Sequence, residues 1–437
     1  MRSIKVGLIG FGTVGSGVVK IIRQNGDVIK ERLGTDLELK KIVDLDITTP
    51  RPVKVEKSIL STNIDDIMED PEIDIVIELI GGIEPAKTFI LKSLEKGKHV
   101  VTANKALLAH HGNEIFEAAA KNGVDVGFEA SVGGGIPLIR SIREGLVAED
   151  IQVIYGILNG TANYILTRMT TDGASFSEAL KEAQEKGYAE ADPTLDIEGH
   201  DTAHKLAIMC ALSFGGKIEF DKVHIEGITD IDQKDIQFAS EFGYKIKLLA
   251  IGAETNGKID MRVHPTMIPK DHVLSSVDGA YNAVFINGNA VGNIMLYGLG
   301  AGMMPTGSAV ISDIVDMGRD ILHGVNNRVP PLSFVDSSKN SVTYKPISEI
   351  KTRYYFRFEA LDRPGVLSKI SGILGKYNIS ISAVIQKGRQ VAGSVPIVML
   401  THTAVEKNVR SALEEIDKLD VVKAPSKLIR IENGEAE

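Results

Sequence analysis

"GLIGFGTVGSGV", residues 7–18, places Gly10-Phe11-Gly12-Thr13-Val14-Gly15 directly after an apolar run and at the head of an amphipathic stretch. Each glycine of a G-x-G-x-x-G has its own physical task. Gly10 permits the tight turn out of the strand, Gly12 lets the backbone come close to a pyrophosphate, and Gly15 brings the helix against the strand. The unpaired N–H groups at the helix start then face the anion. Such a turn also occurs as plain structure, but its place after a strand and the acid Asp44 ending "LELKKIVD" favour dinucleotide binding. A carboxylate at Asp44 accepts ribose hydroxyls and repels a 2′-phosphate, so the expectation leans to NAD. Lys40, Lys41 and Arg51, close by in sequence, keep NADP open as the alternative.

Outward from this stretch, "IKVGLIG", "LELKKIVD", "IDIVIELI", "KHVVTA" and "VDVGFEA" alternate with "GSGVVKIIRQNGDVI" and "PAKTFILKSLEKG". Continuous apolar strands interleaved with helices give a parallel sheet covered on both faces, an α/β fold of the Rossmann-type doubly wound kind, over residues 1–130. From Ser131 the pattern changes, and 131–302 is expected to form an α+β substrate and dimerisation domain. "GLGAGMMPTGSAVISDIVDMGRDIL" reads as a Gly-rich turn feeding a helix at about 303–325 that returns to the first domain. Residues 330–352 read as a linker. Residues 353–437 then run strand, helix, strand, strand, helix, strand, the ferredoxin-like order.

A chain of 437 residues, 43% hydrophobic, buries sizeable cores, and its formal net charge of −9 argues against a nucleic-acid partner. No apolar run approaches the roughly 18 residues that span a bilayer. A cytoplasmic protein without membrane contact is expected. The single cysteine, Cys210, excludes an internal disulfide and sits in the apolar run "KLAIMCALSF", which reads as a core thiol. Loops at strand ends should line the cofactor crevice, which singles out Gly81, Thr102 and Lys105 from "ELIGG" and "VVTANKALL". Lys105 is balanced between a solvated surface charge and a functional one.

"HDTAH", residues 200–204, is one acid type away from the H-E-x-x-H zinc pattern, yet the same stretch carries a second i, i+4 pair, Asp201 and Lys205, suited to proton transfer. A zinc site needs a third ligand, and no His or Cys cluster stands near in sequence, so no zinc is expected. The wider frame is longer and more specific. Ala183-x-x-x-Gly187-Tyr188-Ala189, then Asp192-Pro193-x-x-Asp196-Ile197-x-Gly199-x-Asp201-x-x-x-Lys205, resembles the signature of the homoserine dehydrogenase family. The domain order is similar to that family over the whole chain, and the C-terminal segment resembles its amino-acid-binding ACT domain.

The resemblance implies reversible interconversion of L-homoserine and L-aspartate 4-semialdehyde with NAD(P). It implies Lys205 as proton donor and acceptor, Asp201 as its orienting partner, and Lys105 as a polar substrate or cofactor contact. Glu190 and Asp196 would meet the substrate ammonium, with Asn159, Gly160 and Thr161 at its border. Gly187 and Gly302 join the cofactor contacts. In "FEASVGGGIP" it implies a monovalent-cation site, Na⁺ or K⁺, from the Glu129 carboxylate and the carbonyls of Val132, Gly134 and Ile136. "LDRPGVLSKISGIL" resembles the ACT turn, with Asp362, Pro364 and Gly365 receiving an amino-acid effector, threonine being the natural candidate. A homodimer or homotetramer is expected. Two alternatives stay open: a dehydrogenase of another small amino-acid alcohol, and a nicotinamide-linked amino-acid sensor without catalysis.

Overall fold

The structure is a computed structural model describing residues 2–335, 342–387 and 393–433. The chain forms two compact units, one of Met1–Gly160, Asp201–Val223 and Ala280–Val342, the other of Thr161–His200, His224–Gly279 and Thr343–Glu437.

In the first unit, six strands run parallel: β1 (Ile4–Ile9), β2 (Leu37–Val43), β3 (Leu60–Ser61), β4 (Ile75–Glu78), β5 (His99–Thr102) and β6 (Val126–Gly127). Their order across the sheet is β3-β2-β1-β4-β5-β6, the doubly wound arrangement, with all neighbours parallel. The order reverses between β1 and β4, so a crevice opens beyond their carboxyl ends, where ligands bind in such sheets. β4 and β5 are buried along their whole length, as expected of strands covered on both faces. The stretch read as one helix after the glycine turn is two, Thr13–Gln24 and Gly26–Leu33, because Asn25-Gly26 breaks the ladder. The helix Met303–His323 seats Val310, Ile314 and Met317 in the same core as Ile4, Val18 and Ile21.

Also in this unit, strands Ile151–Ile157, Tyr281–Gly288 and Gly292–Leu299 pair antiparallel. The helix His200–Phe214 is buried from Asp201 to its end. It is apolar nearly all round apart from the polar residues of its first turns, the pattern of a core helix. Burial pushes the thiol pKa of Cys210 up, as suits an inert core group. Among the described residues no helix is long and apolar enough to cross a membrane.

The second unit is built on the antiparallel hairpin Tyr244–Thr255 and Lys258–Pro269. Its C-terminal module runs strand Lys351–Leu361, helix Val366–Lys376, strands Ile381–Gln386 and Ser394–Thr401, helix Glu406–Ile416 and strand Lys427–Ile431. This is the ferredoxin-like order, closed by a core of Tyr354, Phe356, Phe358, Ile370, Leu374, Met399, Val409 and Ile416. The module is not an appended bead. Its last strand pairs antiparallel with Lys351–Leu361 and parallel with the hairpin, Thr266 opposite Arg430 and Met267 opposite Ile431. Within the stretch 330–352, Thr343 and Tyr344 pair parallel with Lys258 and Ile259, and residues 336–341 lie outside the described residues.

Candidate functional site

The glycine turn has the geometry its sequence requires. Gly10 has φ +98°, a region L side chains rarely adopt, and a Cβ on Gly15 would stand 2.1 Å from the Gly10 carbonyl oxygen. A Cβ on Gly12 would meet nothing within 4 Å, so the turn faces open space there. Among the described residues no side chain caps the helix start and no acid lies in its first turn, which leaves the N–H groups and the positive end of the helix dipole to an anion. Asp44 accepts the Phe11 N–H at 2.5 Å and the Asp46 N–H at 2.8 Å, so the expected ribose partner also fastens the turn. A dinucleotide fits this set. Arg51 Nη2 lies 3.8 Å from Asp44, whereas Lys40 is paired with Asp70 and Glu72, and Lys41 donates to the Ser58 carbonyl.

Across the crevice the loops after β4 and β5 are joined by a residue the sequence reading passed over. Glu78, fully buried at the end of β4, accepts the N–H groups of Ile80 (2.9 Å) and Gly81 (3.3 Å) and the hydroxyl of Thr102 (2.6 Å). Burial pushes its carboxyl pKa up, and these hydrogen bonds oppose the shift. Each buried donor left unpaired by loss of this group would cost about 1–3 kcal/mol. Thr102 Oγ1 in turn accepts from Asn104 N–H, and Asn104 donates to the Gly82 carbonyl and accepts from Leu107 N–H, capping the helix Lys105–Asn122. An acid ending the apolar run "IDIVIE" was the available signal. The effect is to fix Lys105 as the first residue of a capped helix.

Lys105 is thereby brought to the i, i+4 pair. Its Nζ lies 3.1 Å from Asp201 Oδ1, while Lys205 Nζ donates to Asp201 Oδ2 at 2.7 Å and to the Leu158 carbonyl at 2.6 Å. Asn159 Nδ2 donates a second hydrogen bond to Oδ2, at 2.8 Å. Asp201 and Lys205 are each 7% exposed, and the Lys105 side chain is 41% exposed. Burial works against the charge on Asp201, but the ammoniums of Lys205 and Lys105 and the hydrogen bonds from Lys205 and Asn159 prevail and hold its carboxyl well below the usual carboxylate range. The neighbouring His204 packs its ring 4.6 Å from Phe220 and 5.4 Å from His110, centroid to centroid.

The remaining expected residues fall as follows. In the first unit, Gly160 follows Asn159 so closely packed that a Cβ would stand 2.8 Å from the Ala280 carbonyl oxygen, and Gly302, φ +122°, opens the helix Met303–His323. Gly81 has φ +73°. In the loop 129–136, both Glu129 carboxylate oxygens accept backbone N–H groups, from Ile139 (2.9 Å) and Arg140 (2.8 Å), and Glu129 N–H donates to Asp313. The carboxylate caps the helix Leu138–Arg140, and each of its oxygens keeps a lone pair beside the carbonyls of Val132, Gly134 and Ile136. In the second unit, Thr161 donates to the Tyr188 carbonyl, Gly187 turns with φ +74°, Glu190 is exposed and Asp196 is half-buried within the short helix Thr194–Ile197. The turn with Asp362 and Pro364 ends at Gly365, φ +90°, which opens the helix Val366–Lys376.

Known proteins are similar to this chain in sequence and in fold. Residues 10–129 match the family model for the homoserine dehydrogenase NAD binding domain, residues 137–315 that for homoserine dehydrogenase, and residues 354–421 that for the ACT domain. The homoserine dehydrogenase of Neisseria gonorrhoeae is 45% identical over 433 residues, 99% of each chain. The chain belongs to the homoserine dehydrogenase family. The Pseudomonas aeruginosa homoserine dehydrogenase is 43% identical over 434 residues, again 99% of each chain. A crystal structure of a homoserine dehydrogenase from Thiobacillus denitrificans, 44% identical, superposes with a TM-score of 0.93 over 100% of this chain and 99% of that one. The homoserine dehydrogenase fold and family thus carry an NAD(P)-dependent oxidoreductase with a C-terminal ACT module.

Proposed function

We propose that in this homoserine dehydrogenase Lys205 Nζ is the group that gives a proton to, and takes it from, the oxygen on the reacting carbon. The observation that carries the reading is the buried Lys205–Asp201 contact, with Lys105 on the other carboxylate oxygen. The Leu158 carbonyl and the Asp201 carboxylate accept from Lys205 Nζ and suit the ammonium form, which is the proton donor when an aldehyde oxygen gains negative charge. A bound nicotinamide dinucleotide supplies or accepts the hydride. Asp201 orients Lys205, Asn159 fixes Asp201, and Lys105, half open to solvent, meets the polar end of substrate or cofactor. Glu190 and Asp196 are assigned to the substrate ammonium, and Asn159, Gly160 and Thr161 to its border.

The dinucleotide lies on Gly10, Phe11, Gly12, Thr13, Val14 and Gly15, with Gly81, Thr102, Gly187 and Gly302 as further contacts. NAD is the preferred form, since Asp44 stands where a ribose hydroxyl is read and would repel a 2′-phosphate. Arg51, 3.8 Å from Asp44, stands beside that position, whereas Lys40 is held by Asp70 and Glu72. A Na⁺ or K⁺ ion is assigned to the Glu129 carboxylate and the carbonyls of Val132, Gly134 and Ile136. The enzyme acts in the cytoplasm as a homodimer or homotetramer. Support for assembly comes from the edge strand Gly292–Leu299, whose Met295, Tyr297 and Leu299 are exposed, with Tyr297 stacked on Tyr281 at 5.1 Å. An amino-acid effector acts through the ACT module, whose turn at Asp362, Pro364 and Gly365 offers a helix start to a carboxylate.

Nicotinamide absorbance with L-homoserine tests the central assignment. Lys205→Ala should lower kcat by about 10²- to 10⁴-fold while the dinucleotide still binds; undiminished turnover removes Lys205 from the role. Run with NAD and NADP in parallel, the assay should favour NAD, and Arg51→Ala should weaken use of NADP alone by about tenfold. An equal effect on both cofactors contradicts a 2′-phosphate role for Arg51. With choline replacing Na⁺ and K⁺, turnover should fall. An unchanged rate removes the cation.

A further inference from the structure

Lys105 opens one helix, and Asp201 and Lys205 lie in the first turns of another. The 3.1 Å contact between Lys105 Nζ and Asp201 Oδ1 therefore depends on how the helices Lys105–Asn122 and His200–Phe214 are held. Two groups of contacts hold them. The first is a backbone clasp. Past Phe214 the chain turns through Gly215 and Gly216, φ +82° and +87°, and comes back onto the first helix. There Asn113 engages both polar groups of Ile218: its Nδ2 donates to the Ile218 carbonyl and its Oδ1 accepts the Ile218 N–H, each at 3.0 Å. One amide side chain has both a donor and an acceptor, so it fixes register as well as distance. Ile218, 4% exposed, lies so close that a Cβ on Gly112 would stand 2.8 Å from its Cδ1, and Lys217 pairs with Glu117 at 3.2 Å.

The second is a wedge of rings. Two residues past Ile218, Phe220 sets its ring 4.6 Å from that of His204 and 4.8 Å from that of His110, with the two imidazoles 5.4 Å apart, centroid to centroid. The imidazoles meet at 70° and Phe220 meets His110 at 67°, the edge-to-face geometry that ring quadrupoles favour. His204 stands one residue before Lys205 and is 8% exposed, so the wedge touches the second helix inside the turn that carries the buried pair. Close-packed side chains register even small changes of volume, and a ring lost here is not absorbed locally. We propose that Phe220, wedged against His110 and His204, is a positioning residue for the reaction: it sets the spacing of the two helices and so places Lys105 on the Asp201 carboxylate. The second histidine of "HDTAH" thereby has a task, as a packing group on the helix that carries the proton-handling pair. The rings act through Lys105 and Asp201 rather than on the substrate, and the proposal rests on the reading that Lys105 meets substrate or cofactor.

A double-mutant cycle of Phe220 with Lys105, read as homoserine turnover of the full chain at saturating dinucleotide, tests it. Phe220→Leu keeps apolar bulk and loses the flat ring. It should lower kcat/KM for homoserine by about tenfold to a hundredfold, the range that a small misplacement costs, with the circular dichroism of the wild type. Phe220→Tyr, which keeps the ring, should keep the rate. In a Lys105→Ala background Phe220→Leu should cost less than about twofold more, because both changes act on one contact. Where Phe220→Leu does not fold, His110→Ala, at the exposed side of the wedge, takes its place in the cycle with the same expectation. An equal loss in both backgrounds overturns the proposal, and so does an undiminished rate in Phe220→Leu beside a loss in Lys105→Ala. Undiminished turnover in Lys105→Ala overturns the reading of Lys105 and the proposal with it.

Discussion

A carboxylate in a water-poor interior is stable only where positive charge and hydrogen-bond donors surround it, and Asp201 meets that condition through three separate elements. Lys205 comes from its own helix one turn on, Lys105 from the first residue of a helix after β5, and Asn159 from the end of a strand. Removing one partner from a buried pair costs about 3–5 kcal/mol, far more than an exposed pair contributes. The charge cluster therefore holds the three elements in register, and the same contacts orient the lysine assigned to proton transfer.

The remainder of the first unit can be understood as support for this cluster. The doubly wound sheet brings the glycine turn and the loops after β4 and β5 to one edge. Glu78 then ties those loops together and sets the helix that begins with Lys105. In the second unit the corresponding task falls to arginines. Arg430 joins the ACT-type module to Glu226, and Arg357, donating to Asp235 at 2.7 Å, joins it to the helix Gln233–Glu241. A module whose last strand is shared with the hairpin cannot shift without loading these contacts, which suits a regulatory element better than a tether would.

Local periodicity made much of the fold legible from the residues. The glycine turn, four of the six parallel strands in nearly their full length, and the ferredoxin-like order of the C-terminal segment all follow from patterns a few residues long. β3, two residues long, left no such pattern, and the break at Asn25 was hidden by apolar spacing that continues across it. Within the site, Asp201 and Lys205 were legible because four residues separate them on one helix. Lys105 and Asn159 were named singly, but their convergence on one carboxylate depends on the tertiary fold. Glu78 was missed although it ends an apolar run, because its tie to Thr102 forms only in the folded sheet, and Glu226 and Arg430 because 204 residues separate them. At Glu129 the cation site came from the family resemblance alone, and the hydrogen bonds its carboxylate accepts from Ile139 and Arg140 could not be read from the sequence.

The central claim is that the Asp201 carboxylate governs the proton carried by Lys205. The most direct measurement is the pH dependence of kcat/KM for homoserine oxidation in the wild type and in Asp201→Asn. An opposite charge favours the ammonium, so its removal should move the limb on which the lysine loses its proton to lower pH by about one unit or more, alongside any loss in rate. A profile that keeps its limb in place in Asp201→Asn would contradict the account.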